Sequence, residues 1–285
     1  MQFTISEINN HVKNKLKNIY SDSEIQQLRF QLYESILGLS KIYVITNPKV
    51  YVPDEKYNSL ILALDRLLKN EPIQYIIGNT EFYNLQFEVN PSVLIPRPET
   101  EELVEWILTT TNKKPKLRVL DIGTGSGCIA ISLAKNMQNT KVFALDVSEK
   151  AIKTAQQNSK NNSTSIEFIQ FDILNDDIEN LPKNLDVLVS NPPYVMQSEK
   201  NLMKSNVLNF EPESALFVND NNPLLFYKKI ASIGKNILKK NGLLFFEINE
   251  TLGNEVKEIL LKADYRDIEV KKDFLGKNRM VKANL

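Results

Sequence analysis

The residues with the clearest chemical potential are Asn191, Pro192, Pro193 and Tyr194, which directly follow an apolar run ending at Ser190. Two successive prolines fix φ and remove two N–H donors, so the loop is stiff and rich in acceptors. The Asn191 side-chain oxygen and the Pro192 carbonyl can together accept both hydrogens of one planar NH₂ group. Such acceptors suit a nitrogen with a delocalised lone pair, because they stabilise the positive charge that develops when it reacts. We predict that Asn191, Pro192 and Tyr194 are catalytic, and that these three and Pro193 hold the substrate, with the Tyr194 ring stacked on it.

A second stretch, Asp121–Gly127, predicts a ligand-binding loop that opens a helix at Cys128. Its glycines alternate as G-x-G-x-G, which lets the backbone turn tightly and approach a ligand closely. The spacing differs from the G-x-G-x-x-G of dinucleotide binders. We predict that a cofactor contacts the five residues of this loop, namely Gly123, Thr124, Gly125, Ser126 and Gly127.

An acidic residue stands at the end of the second predicted strand, and another directly follows the third. Asp146 is placed to accept hydrogen bonds from ribose hydroxyls. Asp172 could accept from the amino group of an adenine, and Ile173 could cover its face. With Asn191 at the junction with the substrate, these residues favour an adenosine-bearing cofactor. They do not by themselves separate S-adenosylmethionine from NAD.

The elements that must position these residues alternate between strands and helices after Pro115, which predicts a doubly wound α/β domain with a Rossmann-like, mostly parallel sheet. Its ligands are expected at the carboxyl ends of the strands. Strands are predicted at Arg118–Asp121, Lys141–Asp146, Ile166–Phe171, Asp186–Ser190 and Leu243–Ile248, with weaker ones near Ile268 and Met280.

The part of the chain before residue 99 has a different character. Capping boxes that start at Thr4 and Ser21 predict helices, and a third helix is expected near Pro53. Loose alternation of apolar residues around Asn84 predicts a β-hairpin. We predict an all-helical domain at 1–72, a hairpin linker at 73–98 and the α/β domain at 99–285.

Bulk composition narrows the function further. Lys and Arg number 35, as do Asp and Glu, so the formal net charge is +0. Proteins that grip nucleic acid through its phosphates usually carry a basic excess. One cysteine and one histidine cannot form an internal disulfide or a Cys/His zinc cluster, and we expect no metal. No targeting signal or apolar membrane span is apparent, which predicts a cytoplasmic protein.

Three further motifs carry a resemblance to a known family. With the glycine loop, Asn191–Tyr194 resembles the amino-methyltransferases, which include DNA adenine and RNA guanine enzymes. The stretches 71–78 (EPIQYIIG), 95–101 (IPRPETE) and 210–212 (FEP) are similar to those of the HemK/PrmC family of release factor glutamine methyltransferases. The resemblance covers nearly the whole chain.

This resemblance implies that the glycine loop, Asp146, Asp172 and Ile173 bind S-adenosylmethionine. It also implies that Asn191–Tyr194 hold the glutamine of the Gly-Gly-Gln loop of class-1 release factors, whose side-chain nitrogen (N5) is methylated. The helical domain would help to dock that partner, and the enzyme is expected to act as a monomer. Ile173 departs from members of the family that place an aromatic residue against the adenine.

Two questions stay open at this point: the role of one charged cluster and the choice between alternative functions. Arg97, Glu99 and Glu101 open a helix, where carboxylates are favoured by the helix dipole. We expect them to position the site rather than transfer protons, with Arg97 paired to one of the two glutamates. The alternatives to a glutamine methyltransferase are an amino-methyltransferase acting on adenine or guanine in nucleic acid and a non-catalytic partner-binding module.

Overall fold

A computed structural model describes residues 3–112 and 116–285. The chain divides into two compact units. The first contains residues 1–78 and, from much later in the sequence, residues 204–210; the second contains residues 79–203 and 211–285. The boundaries of the three predicted segments stay predictions.

The first unit is mainly helical. Its core is formed by residues such as Ile8, Leu32, Tyr33 and Leu64. The capping boxes at Thr4 and Ser21 are both present. The elements before residue 79 are β1 (Phe3–Thr4), α1 (Ile5–Leu16), α2 (Asp22–Leu32), a π-helical turn (Tyr33–Leu37), α3 (Lys41–Thr46), β2 (Tyr51–Val52), α4 (Asp54–Leu67) and α5 (Ile73–Ile77).

A β-hairpin begins the second unit, as the alternation around Asn84 predicts. Strand β3 (Asn79–Phe82) pairs antiparallel with β4 (Leu85–Glu88). Tyr83 and Asn84 connect them with φ angles of 49° and 58°. Positive φ at both central residues matches the twist of the flanking strands, and asparagine tolerates that conformation better than most residues.

The rest of the second unit is built on a seven-stranded sheet, which confirms the predicted α/β fold. In chain order its strands are β5 (Arg118–Ile122), β6 (Lys141–Asp146), β7 (Ile166–Gln170), β8 (Leu185–Ser190), β11 (Leu238–Glu247), β12 (Arg266–Lys272) and β13 (Asn278–Asn284). Two short strands, β9 (Val195–Met196) and β10 (Phe217–Val218), pair separately. The helices are α6 (Pro98–Thr110), α7 (Cys128–Asn136), α8 (Glu149–Asn161), α9 (Ser205–Phe210, which clusters with the first unit), α10 (Glu213–Leu216), α11 (Leu225–Ile237) and α12 (Gly253–Lys262).

The order of the strands places a ligand site. The sheet runs β12-β13-β11-β8-β5-β6-β7, and neighbours from β11 to β7 are parallel. After β5 the chain moves outward to β6 and β7, then returns to β8 on the other side of β5. In such sheets, ligands bind in the crevice where the direction reverses, beyond the carboxyl ends of the strands.

Alternating residues of the strands fill two cores, one on each face of the sheet. Leu120 and Ile122 pack with the residues around Tyr227, whereas Val119 packs with those around Trp106. In the described ranges, 3–112 and 116–285, no helix is long and apolar enough to cross a membrane.

Candidate active site

The main cavity of the second unit lies at the carboxyl ends of β5 to β8. Most residues that sequence motifs single out share its wall: Gly123, Thr124, Gly125, Ser126, Asp146, Asp172, Ile173, Asn191, Pro192 and Pro193. Two predicted residues, Gly127 and Tyr194, are not among those lining this cavity.

The glycine loop has two kinds of glycine. Gly123, Gly125 and Gly127 all have positive φ, of 74°, 55° and 83°. A Cβ atom on Gly123 or Gly125 would meet no heavy atom within 4 Å, so these two leave open space at the cavity wall. A Cβ atom on Gly127 would lie 2.9 Å from Ile131 Cδ1 and 3.1 Å from Ala155 Cβ. Gly127 therefore permits close packing of α7 and α8, behind the wall rather than on it.

Asp146 joins the loop to the second strand. Its Oδ2 accepts a hydrogen bond from the Gly125 N–H at 2.9 Å, and its Oδ1 accepts one from the Ser148 N–H at 2.9 Å. Burial raises the pKa of this carboxyl, and the backbone N–H donors oppose that effect. The carboxylate lines the cavity and has unused lone pairs, so it can accept further hydrogen bonds from a ligand.

Asp172 and Ile173 form the wall beyond β7. Asp172 Oδ1 accepts from the Leu174 N–H at 2.9 Å, and Oδ2 accepts from Asn175 Nδ2 at 2.8 Å. The hydrogen bonds from Asn175 and Leu174 lower the pKa of Asp172, which keeps the carboxylate ionised as an acceptor. Ile173 is buried and contributes an apolar surface to the wall.

Asn191 and Pro192 stand at the end of β8, next to the glycine loop. The Ser190 hydroxyl donates to the Ile122 carbonyl at 2.7 Å and ties the ends of β8 and β5 together. Among the described residues, none donates a hydrogen bond to Asn191 Oδ1 or to the Pro192 carbonyl. Both residues line the cavity, which is compatible with the predicted pair of acceptors for a ligand with an NH₂ group.

Tyr194 is placed differently from the expectation that its ring stacks on a substrate. Its hydroxyl donates to Glu247 Oε1 at 3.0 Å, and its ring packs against the core on one face of the sheet. Burial, together with the nearby charge of Glu247, raises its pKa. This geometry favours a role in holding the loop, and the stacking role is a prediction that the arrangement does not support.

Sequence reasoning missed Thr100 and Glu247. Thr100 Oγ1 donates to Glu247 Oε2 at 2.7 Å and lies 3.4 Å from Asn191 Nδ2. Glu247 is an acidic residue at the end of the apolar run Leu243–Phe246, which is the signal that could have identified it. Its pKa is raised by burial, and hydrogen bonds from Thr100 and Tyr194 and the charge of Arg279 oppose that rise.

The prediction that Arg97 pairs with Glu99 or Glu101 was wrong. Its guanidinium pairs with Glu211 Oε1 at 2.6 Å, and Glu211 Oε2 accepts from the Ile95 N–H at 3.1 Å. Glu101 instead accepts from the Tyr83 N–H at 2.9 Å. A partner 114 positions along the chain could not be read from the local pattern. The pair joins the segment before α6 to the segment after α9.

Cys128 lies at the start of α7, where a thiol could be activated by the helix dipole. Burial instead raises its pKa to about 12, so the thiol stays protonated. In the described residues, no group of three or more His, Cys, Asp or Glu side chains could hold a metal ion.

Fold and site together define a class of protein. That class is the S-adenosylmethionine-dependent methyltransferases. The profile of the methyltransferase small domain matches residues 100–218. A methyltransferase from Pyrococcus furiosus shares the fold, with a TM-score of 0.53 and 20% identity over 77% of this chain and 96% of its own.

The chain belongs to the release factor glutamine methyltransferase family. The PrmC N-terminal domain profile matches residues 7–78. The release factor glutamine methyltransferase of Flavobacterium psychrophilum is 46% identical over 94% of this chain and 95% of its own. That of Bacteroides thetaiotaomicron is 41% identical over 98% of this chain and 100% of its own.

Proposed function

We propose that this enzyme transfers a methyl group from S-adenosylmethionine to the side-chain amide nitrogen (N5) of the glutamine in the Gly-Gly-Gln motif of class-1 release factors. The observation that carries the proposal is the pair of free acceptors, Asn191 Oδ1 and the Pro192 carbonyl, beside the glycine loop. The names of the relatives support the substrate.

Two aligned acceptors address the difficulty of this substrate. An amide nitrogen is a poor nucleophile because its lone pair is shared with the carbonyl group. Hydrogen bonds from both N–H groups to Asn191 and Pro192 would orient the NH₂ group and stabilise the positive charge that develops on the nitrogen. S-adenosylmethionine supplies an activated methyl group on its sulfonium, so the protein needs to supply only orientation and a dry site. The methyl–sulfur bond breaks as the methyl–nitrogen bond forms, S-adenosylhomocysteine leaves, and the methylated nitrogen releases one proton to water.

The wall of the cavity fits the methyl donor. Gly123 and Gly125 leave room for a ligand against the backbone, and Asp146 offers an acceptor for ribose hydroxyls. Asp172 and Ile173 offer an acceptor and an apolar surface for the adenine. Gly127 contributes through the packing of α7 and α8. We infer that the reaction uses no metal.

The helical unit would serve to dock the release factor, which is much larger than the glutamine it presents. We further propose that the enzyme acts as a monomer in the cytoplasm, without a nucleic acid or a membrane as its partner. The equal numbers of acidic and basic residues support the exclusion of nucleic acid.

A labelling experiment tests the proposal. The protein is incubated with S-adenosylmethionine carrying a radioactive methyl group and with one of three acceptors: a class-1 release factor, the same factor with its Gly-Gly-Gln glutamine replaced, or a nucleic acid mixture. We expect label on the intact factor alone. Label on the factor whose glutamine is replaced would show that another residue is methylated. Label on nucleic acid would show that the proposed substrate is wrong.

A further inference from the structure

A chain of hydrogen bonds runs from the Asn191 side chain into the interior of the second unit. Asn191 Nδ2 lies 3.4 Å from Thr100 Oγ1, and Thr100 Oγ1 lies 2.7 Å from Glu247 Oε2. The other carboxylate oxygen, Oε1, accepts from the Tyr194 hydroxyl at 3.0 Å. Thr100 is 2% exposed and Glu247 is 1% exposed, so the protein itself must satisfy their polar atoms.

The register of the sheet explains how distant residues meet here. Phe246 of β11 pairs with Ser190 of the parallel strand β8. The next residues, Glu247 at the end of β11 and Asn191 just after β8, therefore lie side by side. Thr100 reaches them from the first turn of α6.

The chemistry of the three groups gives the chain a direction. Both oxygens of Glu247 accept from hydroxyl groups, those of Thr100 and Tyr194, so Glu247 acts here as an acceptor and the single hydroxyl hydrogen of Thr100 is committed to it. Thr100 can then only accept from Asn191, which must present its NH₂ group to it. The Asn191 oxygen is left as the free atom of the amide.

We propose that Thr100 and Glu247 are positioning residues that set the orientation of the Asn191 amide, so that its oxygen faces the substrate NH₂ group. The inference rests on the proposed function and adds two residues to it. Without this constraint the amide could turn over and present its own NH₂ group, which would repel the substrate's. Glu247 also holds Tyr194, so one carboxylate fixes both ends of the Asn191–Tyr194 loop.

The test compares Thr100→Val, which removes the hydroxyl at nearly constant volume, with Thr100→Ser, which keeps it. The control is Thr111→Val, because Thr111 is also buried, lies at the end of the same helix and donates its hydroxyl to the Ile107 carbonyl. We expect Thr100→Val to lower the single-turnover rate on a release factor about tenfold or more. Thr100→Ser and Thr111→Val should stay close to wild type. Affinity for S-adenosylmethionine, measured by calorimetry, should be unchanged in all three.

A double-mutant cycle separates positioning from a direct or merely structural role. If Thr100 acts through Asn191, Thr100→Val should add nothing further in an Asn191→Ala background. Equal proportional losses in both backgrounds would overturn the proposal, as would a wild-type rate in Thr100→Val. Glu247→Leu should also lower the rate, since leucine cannot accept the Thr100 hydroxyl and leaves it free to donate to Asn191; a wild-type rate in that variant counts equally against the proposal. An absence of methylation by the wild-type protein would instead reject the proposed function.

Discussion

Asn191 is the residue on which the substrate chemistry depends most. Replacement by alanine removes one of the two acceptors for the glutamine NH₂ group and leaves the glycine loop and Asp146 intact. We expect Asn191→Ala to lower the single-turnover rate about 100-fold or more, the scale seen when one aligned group is removed from a transition-state site. The dissociation constant of S-adenosylmethionine should change little.

The control for that variant is Asn236→Ala, which changes an exposed asparagine on α11. Rapid-quench measurement of the methyl transfer step compares the two. Turnover at the wild-type rate in Asn191→Ala would refute the acceptor mechanism.

Asp146 has two kinds of partner, the backbone of the glycine loop and, in our proposal, the ribose of the methyl donor. Asp146→Ala should raise the dissociation constant of S-adenosylmethionine about tenfold or more, because a hydrogen bond to a charged acceptor is worth roughly 1.5–3 kcal/mol. Calorimetry measures the constant. The control is Asp65→Ala, which changes an exposed aspartate on α4. An unchanged constant would show that the ribose assignment is wrong.

Asp121 is a fully buried acid below the glycine loop, and it predicts a pH dependence of stability. Burial raises its pKa to about 7, against a hydrogen bond from the Thr124 hydroxyl. The folded state therefore binds this proton more tightly than the unfolded chain, and the contribution of Asp121 to stability falls as the pH rises from about 4 to about 7.

The variant Asp121→Asn carries an asparagine that stays uncharged at every pH in this range. Its free energy of unfolding relative to wild type should therefore rise by on the order of 2 kcal/mol between pH 5 and pH 8. Denaturant titrations of both proteins at the two pH values, without ligand, give the difference. A relative stability that does not change with pH would place the titration elsewhere.

At the scale of elements, Gly127 allows α7 and α8 to pack closely. Gly127→Ala should cost roughly 1–2 kcal/mol for an alanine at positive φ and about 1–3 kcal/mol more for the contacts with Ile131 and Ala155. Gly276→Ala is a matched control, since Gly276 has a φ of 80° but open space around its Cβ position. Chemical denaturation should rank Gly127→Ala as the less stable of the two, and equal stabilities would contradict the packing argument.

The same scale shows how much can be predicted from sequence. Continuous apolar runs such as Val142–Leu145 identify buried parallel strands, and the motifs at their ends fall on one cavity because parallel strands share a carboxyl edge. The partners Thr100–Glu247 and Arg97–Glu211 were not predictable in this way. Each depends on the register of strands or on a loop that returns from a distant part of the chain. A single acidic residue after an apolar run does not indicate which side chain it will meet.

For the whole molecule, the division into two units predicts where the methyl donor acts. All residues lining the main cavity belong to the second unit. Hydrogen exchange with and without S-adenosylmethionine should show protection in the segments of the glycine loop, Asp146 and Asn191. Residues 3–78 should exchange equally in both conditions, and protection there would show that ligand binding also stabilises the first unit.

Residues 204–210 make the helical unit discontinuous along the chain. The chain completes the helices before Gly78, builds most of the sheet, and then contributes a further short segment to the first unit before it returns at Glu211. Replacing only the first 78 codons with those of another gene would therefore leave residues 204–210 of the original helical unit in the resulting protein. The helical unit is therefore not encoded by one continuous stretch of the gene, because the codons for residues 204–210 lie within the stretch that encodes the second unit.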